Sequence, residues 1–282
     1  MAVHKGRRKN AKNNRNGASK KQIININNSE PTKTPAQVGI KYWIYGTHAV
    51  LAALFNTKRQ KLRIIATENG LSSITSEFQS DNKIEIVSKS VLDDLLPIGA
   101  VHQGVALLTR ALPQKSIADI IKSASRQEAA LIVALDQVTD PHNIGNVLRS
   151  SAAFGVCAVV APDRHTPHAA GALVKAASGA LETVPLIRTP NLVRALEELK
   201  DGGFWVVGLD VNAPSDIAAN ALPAKCVLTL GSEGKGLRRL TKRTCDMLVG
   251  ITTSEAMQSI NISASAAVAL YEWQRQRNDQ RL

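Results

Sequence analysis

From residue 129 onward, short runs of apolar residues alternate with helix-length segments, and this alternation constrains the fold more than anything else in the sequence. The runs at 131–135 (LIVAL), 156–161 (VCAVVA), 204–209 (FWVVGL), 226–230 (CVLTL) and 248–251 (LVGI) are nearly continuous. A strand that is apolar on both sides must be covered on both faces, as in a parallel sheet between two helix layers. Helical patterns at 143–154, 169–178, 192–200, 237–243 and 263–277 supply those layers. Asn143 and Asn191 stand where N-caps belong, with Gly155 and Gly202-Gly203 where the helices stop.

A smaller α/β unit precedes it, over 42–112. Thr47 is placed to cap a helix whose Val50, Leu51, Leu54 and Phe55 share one face. Strands are expected at 62–67, 83–87 and 104–109, with helices at 71–79 and at 90–96, the latter ended by Pro97. Residues 113–128 read as a linker with some helix, and the α/β unit of 129–282 follows.

The charge is concentrated outside both units. Residues 1–41 hold ten Lys or Arg and one Glu, so they account for +9 of the net +12. With few bulky apolar groups, this segment cannot offset its ordering entropy by burial and is expected to be a disordered basic arm. A polyanion such as RNA is the partner such an arm fits; a solubilising tail or a targeting peptide is the plainer alternative. No apolar run reaches the ~18–20 residues of a membrane helix, and the basic N-terminus is not followed by the apolar core of a secretion signal. Three cysteines with no C-x-x-C pair, Cys157, Cys226 and Cys245, argue against a disulfide framework or a zinc site and fit the cytoplasm. His165 and His168 lack a third ligand, so no metal is expected.

Three loops that follow strands can carry chemistry, because open α/β sheets bind ligands at the carboxyl ends of their strands. The first, 136–145 (DQVTDPHNIG), runs into a helix bearing Asn143, Asn146 and Arg149 at spacings of three. Arg149 there suits a phosphate, or it ties helix to loop by pairing with Asp136 or Asp140. The second, 230–237 (LGSEGKGL), has three glycines that let a ligand approach the backbone, but it is neither a Walker A loop nor G-x-G-x-x-G. The third, 251–263 (ITTSEAMQSINIS), carries one charge, Glu255, and ends at Asn261 and Ser263, which look like caps.

In order and spacing these loops resemble the three motifs of the SpoU (TrmH) family of RNA ribose 2′-O-methyltransferases. DQVTDPHNIGNVLRSSAAFG (136–155) is similar to motif one, LTLGSEGKGL (228–237) to motif two and ITTSEAMQSINISASAAVALYE (251–272) to motif three. IYGTHAV (44–50) and HQGVA (102–106) resemble that family's L30e-like substrate-binding domain, an arrangement most like the enzymes that methylate a guanosine of large-subunit ribosomal RNA. The resemblance implies a trefoil-knotted methyltransferase domain, S-adenosyl-L-methionine as cofactor and a homodimer. It implies catalytic-site positions at Arg149, Asn143, Glu233, Ser259 and Asn261. Cofactor-binding positions fall on Leu230, Gly231, Gly234, Ile251, Ile260 and Asn261. Motif three usually has Pro after its first Ile and Gly three residues on; here these are Thr252 and Glu255.

Methyl transfer from a sulfonium to a ribose 2′-hydroxyl needs an oriented oxygen whose proton is leaving. An arginine can hold the adjacent phosphate and stabilise the developing charge, or act as base, which a guanidinium does poorly. The expected activity is methylation of ribosomal RNA. The alternatives are a transfer-RNA 2′-O-methyltransferase, a non-catalytic RNA-binding or ribosome-assembly protein, and a small-molecule α/β enzyme, against which the basic arm counts. The last helix, with Ala267, Leu270 and Tyr271 as an apolar stripe near Trp273, is the expected dimer contact.

Overall fold

The computed structural model describes residues 41–74, 78, 84–164, 166–167, 171–257 and 259–279. Residues 1–40 of the expected basic arm, His165 and His168 lie outside the described residues, and the arm's expected last residue, Lys41, instead begins a strand. Six parallel strands form the larger sheet: β5 (Ala130–Asp136), β6 (Ala158–Pro162), β7 (Leu186–Thr189), β8 (Trp205–Leu209), β9 (Lys225–Gly231) and β10 (Met247–Val249), in the order β10-β8-β9-β5-β6-β7.

Every residue of β5 is buried. Leu131, Val133 and Leu135 face one core, shared with helices α5 (Pro141–Ala153), α6 (Ala172–Ala177) and α9 (Ile262–Asp279). Ala130, Ile132 and Ala134 face the other, shared with α4 (Ile117–Ala124) and α7 (Leu192–Asp201). Two apolar faces on one strand are what a sheet between helix layers requires. The linker's helix α4 is thus part of the second layer, started by a capping box between Ser116 and Asp119. A short helix, α8 (Arg239–Thr244), joins β9 to β10.

The smaller sheet has β1 (Lys41–Tyr45), β2 (Lys61–Ala66), β3 (Ile84–Ile86) and β4 (Val105–Arg110) in the order β1-β4-β2-β3. Only β2 and β3 run parallel. Its helices are α1 (Thr47–Phe55), α2 (Glu68–Leu71) and α3 (Lys89–Leu95).

Several local expectations are corrected. Strands β1 and β7 were not expected. β1 is half-buried and directly follows the basic arm, and β7 is a four-residue strand at the sheet edge with Arg and Thr at its end. Within the span 71–79 expected as a helix, residue 78 is helical, but a short helix begins ahead of that span, at Glu68 with Thr67 as its cap, and the chain turns at 72–73. There the Ser72 and Ser73 hydroxyls donate to the carbonyls of Asn69 and Gly70 and compete with helical bonding. Residues 75–77 and 79 lie outside the described set. Asn143 does not cap α5: Asp140 does, accepting from the His142 N–H at 2.9 Å, with Pro141 as the first helical residue. Nor does Thr47 cap α1; Gly46 takes that place, and the Gln103 side chain accepts from the Thr47 N–H at 3.0 Å.

Helices α5 and α6 touch at Gly145. A Cβ there would lie 2.4 Å from the Ala176 Cβ and 2.9 Å from both the Ala177 nitrogen and the Leu173 carbonyl oxygen. Within an ordinary helix, Gly→Ala gains about 1 kcal/mol; here overpacking costs about 1–3 kcal/mol and reverses the sign. Gly145→Ala is therefore expected to lower the urea midpoint, and a variant as stable as the parent would contradict this packing.

Candidate active site

The strand order locates the site before any side chain is considered. β5 and β9 are neighbours, yet the chain leaves β5 toward β6 on one side and leaves β9 toward the far edge, at β10. Adjacent strands whose connections depart in opposite directions leave a crevice at their carboxyl ends, where ligands bind. The loops at that crevice are 137–140 and 232–238.

Because Asp140 serves as the cap, the Asn143 side chain is free to face the crevice. Its Nδ2 donates to Glu233 Oε1 at 3.1 Å. Asn261, from the third loop, donates from its own Nδ2 to the same Glu233 oxygen at 2.7 Å and to Asn143 Oδ1 at 3.1 Å. The Asn261 Oδ1 accepts from the N–H and hydroxyl of Ser263 at 2.8 and 2.6 Å, so this residue does cap α9 as its type predicts. One carboxylate and two amides from positions 143, 233 and 261 thus tie the three loops together.

The glycine loop presents bare backbone. Gly231 packs so tightly that a Cβ would sit 2.0 Å from the Gly236 carbonyl carbon, whereas at Gly234, with φ of 79°, a Cβ would meet nothing within 4 Å. The loop closes through the Gly236 N–H to the Ser232 carbonyl at 2.9 Å. Leu230 is buried beneath it, and Ile251 packs on the same core. Ile260 is half-buried beside Asn261, and Ser259 is exposed.

Sequence reasoning missed two ion pairs that hold the segment following the glycine loop. Asp136, fully buried at the end of β5, accepts from the Arg238 N–H at 2.9 Å and from Arg238 Nε at 2.6 Å, anchoring the far end of the glycine loop. Asp136 is therefore Arg238's partner, and Arg149 stays exposed on α5 with no ion pair to Asp136 or Asp140. The second pair is Lys242 with Asp210, at 2.8 Å.

Thr252 also acquires a role. Its N–H donates to Asp216 Oδ2 at 2.7 Å, and its hydroxyl donates to the same oxygen. Proline at this position would lack that N–H. Asp216 in turn caps the short 3₁₀ turn Ile217–Ala219 and bridges to Gly250, so the start of the third loop is pinned to the β8–β9 connection. Glu255 is exposed.

Among the described residues no three His, Cys, Asp or Glu side chains are grouped to hold a metal ion, and no helix is long and apolar enough to cross a membrane. A cavity of about 930 Å³ lies apart from the crevice, in the smaller sheet's unit, lined by Thr67, Asn69, Lys89, His102 and Gln103 among others. His102 is buried there, its Nδ1 accepting from the Gly104 N–H at 3.0 Å and its Nε2 lying 3.1 Å from Asp93.

Residues 130–271 match the SpoU rRNA Methylase family, and residues 43–115 match the RNA 2′-O ribose methyltransferase substrate binding family. The chain belongs to the SpoU rRNA methylase family. It is 37% identical over 239 residues to the 23S rRNA (guanosine-2′-O-)-methyltransferase RlmB of Neisseria meningitidis serogroup B, covering 83% of this chain and 95% of that one. The Vibrio vulnificus protein of the same name is 35% identical over 240 residues, covering 83% and 97%. The fold is similar to that of the SpoU methyltransferase AviRb from Streptomyces viridochromogenes in complex with AdoMet. That match has a TM-score of 0.70 at 20% identity and covers 85% of this chain and 91% of AviRb.

Within this SpoU fold, the Thr252 hydroxyl, aided by the Ala218 N–H, holds the Asp216 carboxyl below the usual carboxylate range. A carboxyl depressed in the folded state adds stability above its unfolded pKa, near 4, and that contribution vanishes as pH falls through the lower folded value. Asp216→Asn is therefore expected to be less stable than the parent at neutral pH. The two urea midpoints should converge below about pH 4, and a gap that stays constant with pH would refute the contact.

Proposed function

We propose that this chain transfers a methyl group from S-adenosyl-L-methionine to the ribose 2′-hydroxyl of a guanosine in large-subunit ribosomal RNA, acting in the cytoplasm. The observation that carries the reading is the joining of all three motif loops at Asn143, Glu233 and Asn261, at the crevice between β5 and β9. Family membership and the rRNA methyltransferase relatives support the substrate class.

The cofactor fits what the loops offer. Gly231 is packed against Gly236, whereas the open space beside Gly234 leaves room for a ligand against the loop's backbone. Leu230, Ile251 and Ile260 supply apolar surface beside Asn261, whose side chain is engaged by Asn143, Glu233 and Ser263. When bound, the cofactor supplies an electrophilic methyl on a sulfonium. Asn143, Glu233 and Asn261 tie together the three loops that would hold the cofactor, and Ser259 is exposed on the third of them. Arg149, about 9 Å along the axis of α5 from Asn143, holds the phosphate next to the target ribose and stabilises charge developing on the 2′-oxygen. Thr252 keeps the third loop in place through Asp216, which weighs against a non-catalytic reading of the altered motif.

The trefoil knot of the C-terminal segment and the L30e-like character of the small unit belong to the same proposal. The cavity lined by Thr67, Asn69 and Lys89 then receives RNA. The basic arm, 1–41, adds affinity for phosphates without reading sequence.

Arg149→Ala is expected to reduce single-turnover methyl transfer by about 10²–10³ while cofactor binding and fold persist. A near-parental rate at saturating cofactor would refute this role.

We also propose a homodimer with α9 at the contact. Leu270 and Trp273 are buried in their own subunit, the Trp273 Nε1 donating to the Pro223 carbonyl at 2.9 Å, so the expected stripe narrows to exposed Tyr271 and half-buried Ala267, beside which Val268, not expected there, is also exposed. Light scattering should report twice the 30.2 kDa chain mass; the single-chain mass at micromolar concentration would overturn the dimer.

A further inference from the structure

Arg59 is one of the most deeply buried charges in the chain, and nothing in the transfer chemistry uses it. It lies between α1 and β2, and its partner Glu182 lies in the larger sheet's unit, at the end of the 3₁₀ turn Ala180–Glu182 that follows α6. Their side chains are 2% and 6% exposed. Arg59 Nη2 donates to Glu182 Oε1 at 2.5 Å and Nε donates to Oε2 at 3.1 Å, a two-pronged pair. Asn56 Nδ2 donates to Oε2 at 2.7 Å. Arg59 Nη1 meanwhile donates to the Tyr42 hydroxyl at 2.8 Å and to the Arg110 carbonyl at 2.9 Å. One guanidinium therefore grips the first strand of the small unit, the last residue of its final strand, and a carboxylate of the other unit. Burial works against the guanidinium's charge, but Glu182 and Tyr42 more than compensate and hold its pKa above the ordinary value.

The surrounding contacts are equally specific. Val174 and Leu181, from the larger sheet's unit, complete the small unit's core with Val50, Ala53 and Leu54. Gly179, with φ of 90°, lies so close to α1 that a Cβ would sit 2.4 Å from the Ala52 Cβ. On its other side α6 presses against Gly145 of α5, the helix that carries Asn143 and Arg149.

We propose that the Arg59–Glu182 pair is an interdomain latch and that Glu182 is a positioning residue for methyl transfer. It fixes the small unit on the 174–182 segment, and through α6 on α5, so that RNA held by the small unit meets Arg149 in one register. This rests on the methyltransferase reading above. Breaking a buried pair on one side leaves an uncompensated charge, so the small unit loses its seat while both binding surfaces stay intact. A misplacement of about 1 Å can cost 10²-fold in rate.

The test compares Glu182→Ala, Glu182→Gln and the parent, using S-adenosylmethionine and a large-subunit ribosomal RNA fragment. Glu182→Ala should lower the single-turnover rate by about 10², while affinities for cofactor and RNA change no more than a few-fold. Trypsin should cleave after Lys115, in the exposed connector, faster than in the parent. Glu182→Gln, which still accepts from Arg59, should recover part of the rate and carries the comparison if the alanine variant does not fold. A parental rate in the folded variants overturns the latch, as does a rate loss matched by equal loss of cofactor binding. A parent protein that transfers no methyl contradicts the methyltransferase reading instead; the trypsin comparison then decides the latch, and unchanged cleavage overturns it.

Discussion

A single carboxylate oxygen, Glu233 Oε1, accepts hydrogen bonds from two amides that lie 90 and 28 residues away along the chain. The site depends on that convergence. The glycine loop supplies the acceptor, the helix after β5 supplies Asn143, and the start of α9 supplies Asn261. None of the three loops makes a pocket alone. They meet because β5 and β9 are paired along their full length, from Ala130 with Lys225 to Asp136 with Gly231, while their onward connections diverge.

The same economy runs through the supports. Asp136 ends β5 and anchors Arg238 beyond the glycine loop; Asp216 caps a 3₁₀ turn and pins Thr252. Each acid satisfies local backbone donors and at the same time fixes a segment distant in sequence. Asp136 is fully buried, and a buried charge is costly unless paired and hydrogen-bonded, which makes its geometry demanding. Where backbone must approach backbone or a neighbouring helix, as at Gly231 and Gly145, only glycine fits.

Much of this was legible in the sequence, for physical reasons. Continuous apolar runs announce strands covered on both faces, and β5, β6, β8 and β9 followed within two residues. The smaller sheet's β2 and β4 were equally clear, being apolar runs bounded by turn residues. Asn143, Glu233 and Asn261 were chosen by resemblance, and the structure places them within hydrogen-bonding distance of one another. The capping role given to Asn143 failed because Asp140, followed by Pro141, is a stronger helix start. The span 71–79 is interrupted at 72–73, where serine hydroxyls bond back to Asn69 and Gly70 and Gly70 presses against Gly104, while residue 78 within it is helical. The partners Arg59 and Glu182, 123 residues apart, carry no local pattern at all. Pairings set only by tertiary contact leave no periodicity to read.

The measurement that bears most directly on this account is transfer of labelled methyl from S-adenosylmethionine to isolated large-subunit ribosomal RNA, followed by mapping of the product. The account predicts label at one guanosine, on the ribose 2′-oxygen, stable to conditions that cleave the neighbouring phosphodiesters. Label on a base, or no label with cofactor bound, would contradict it.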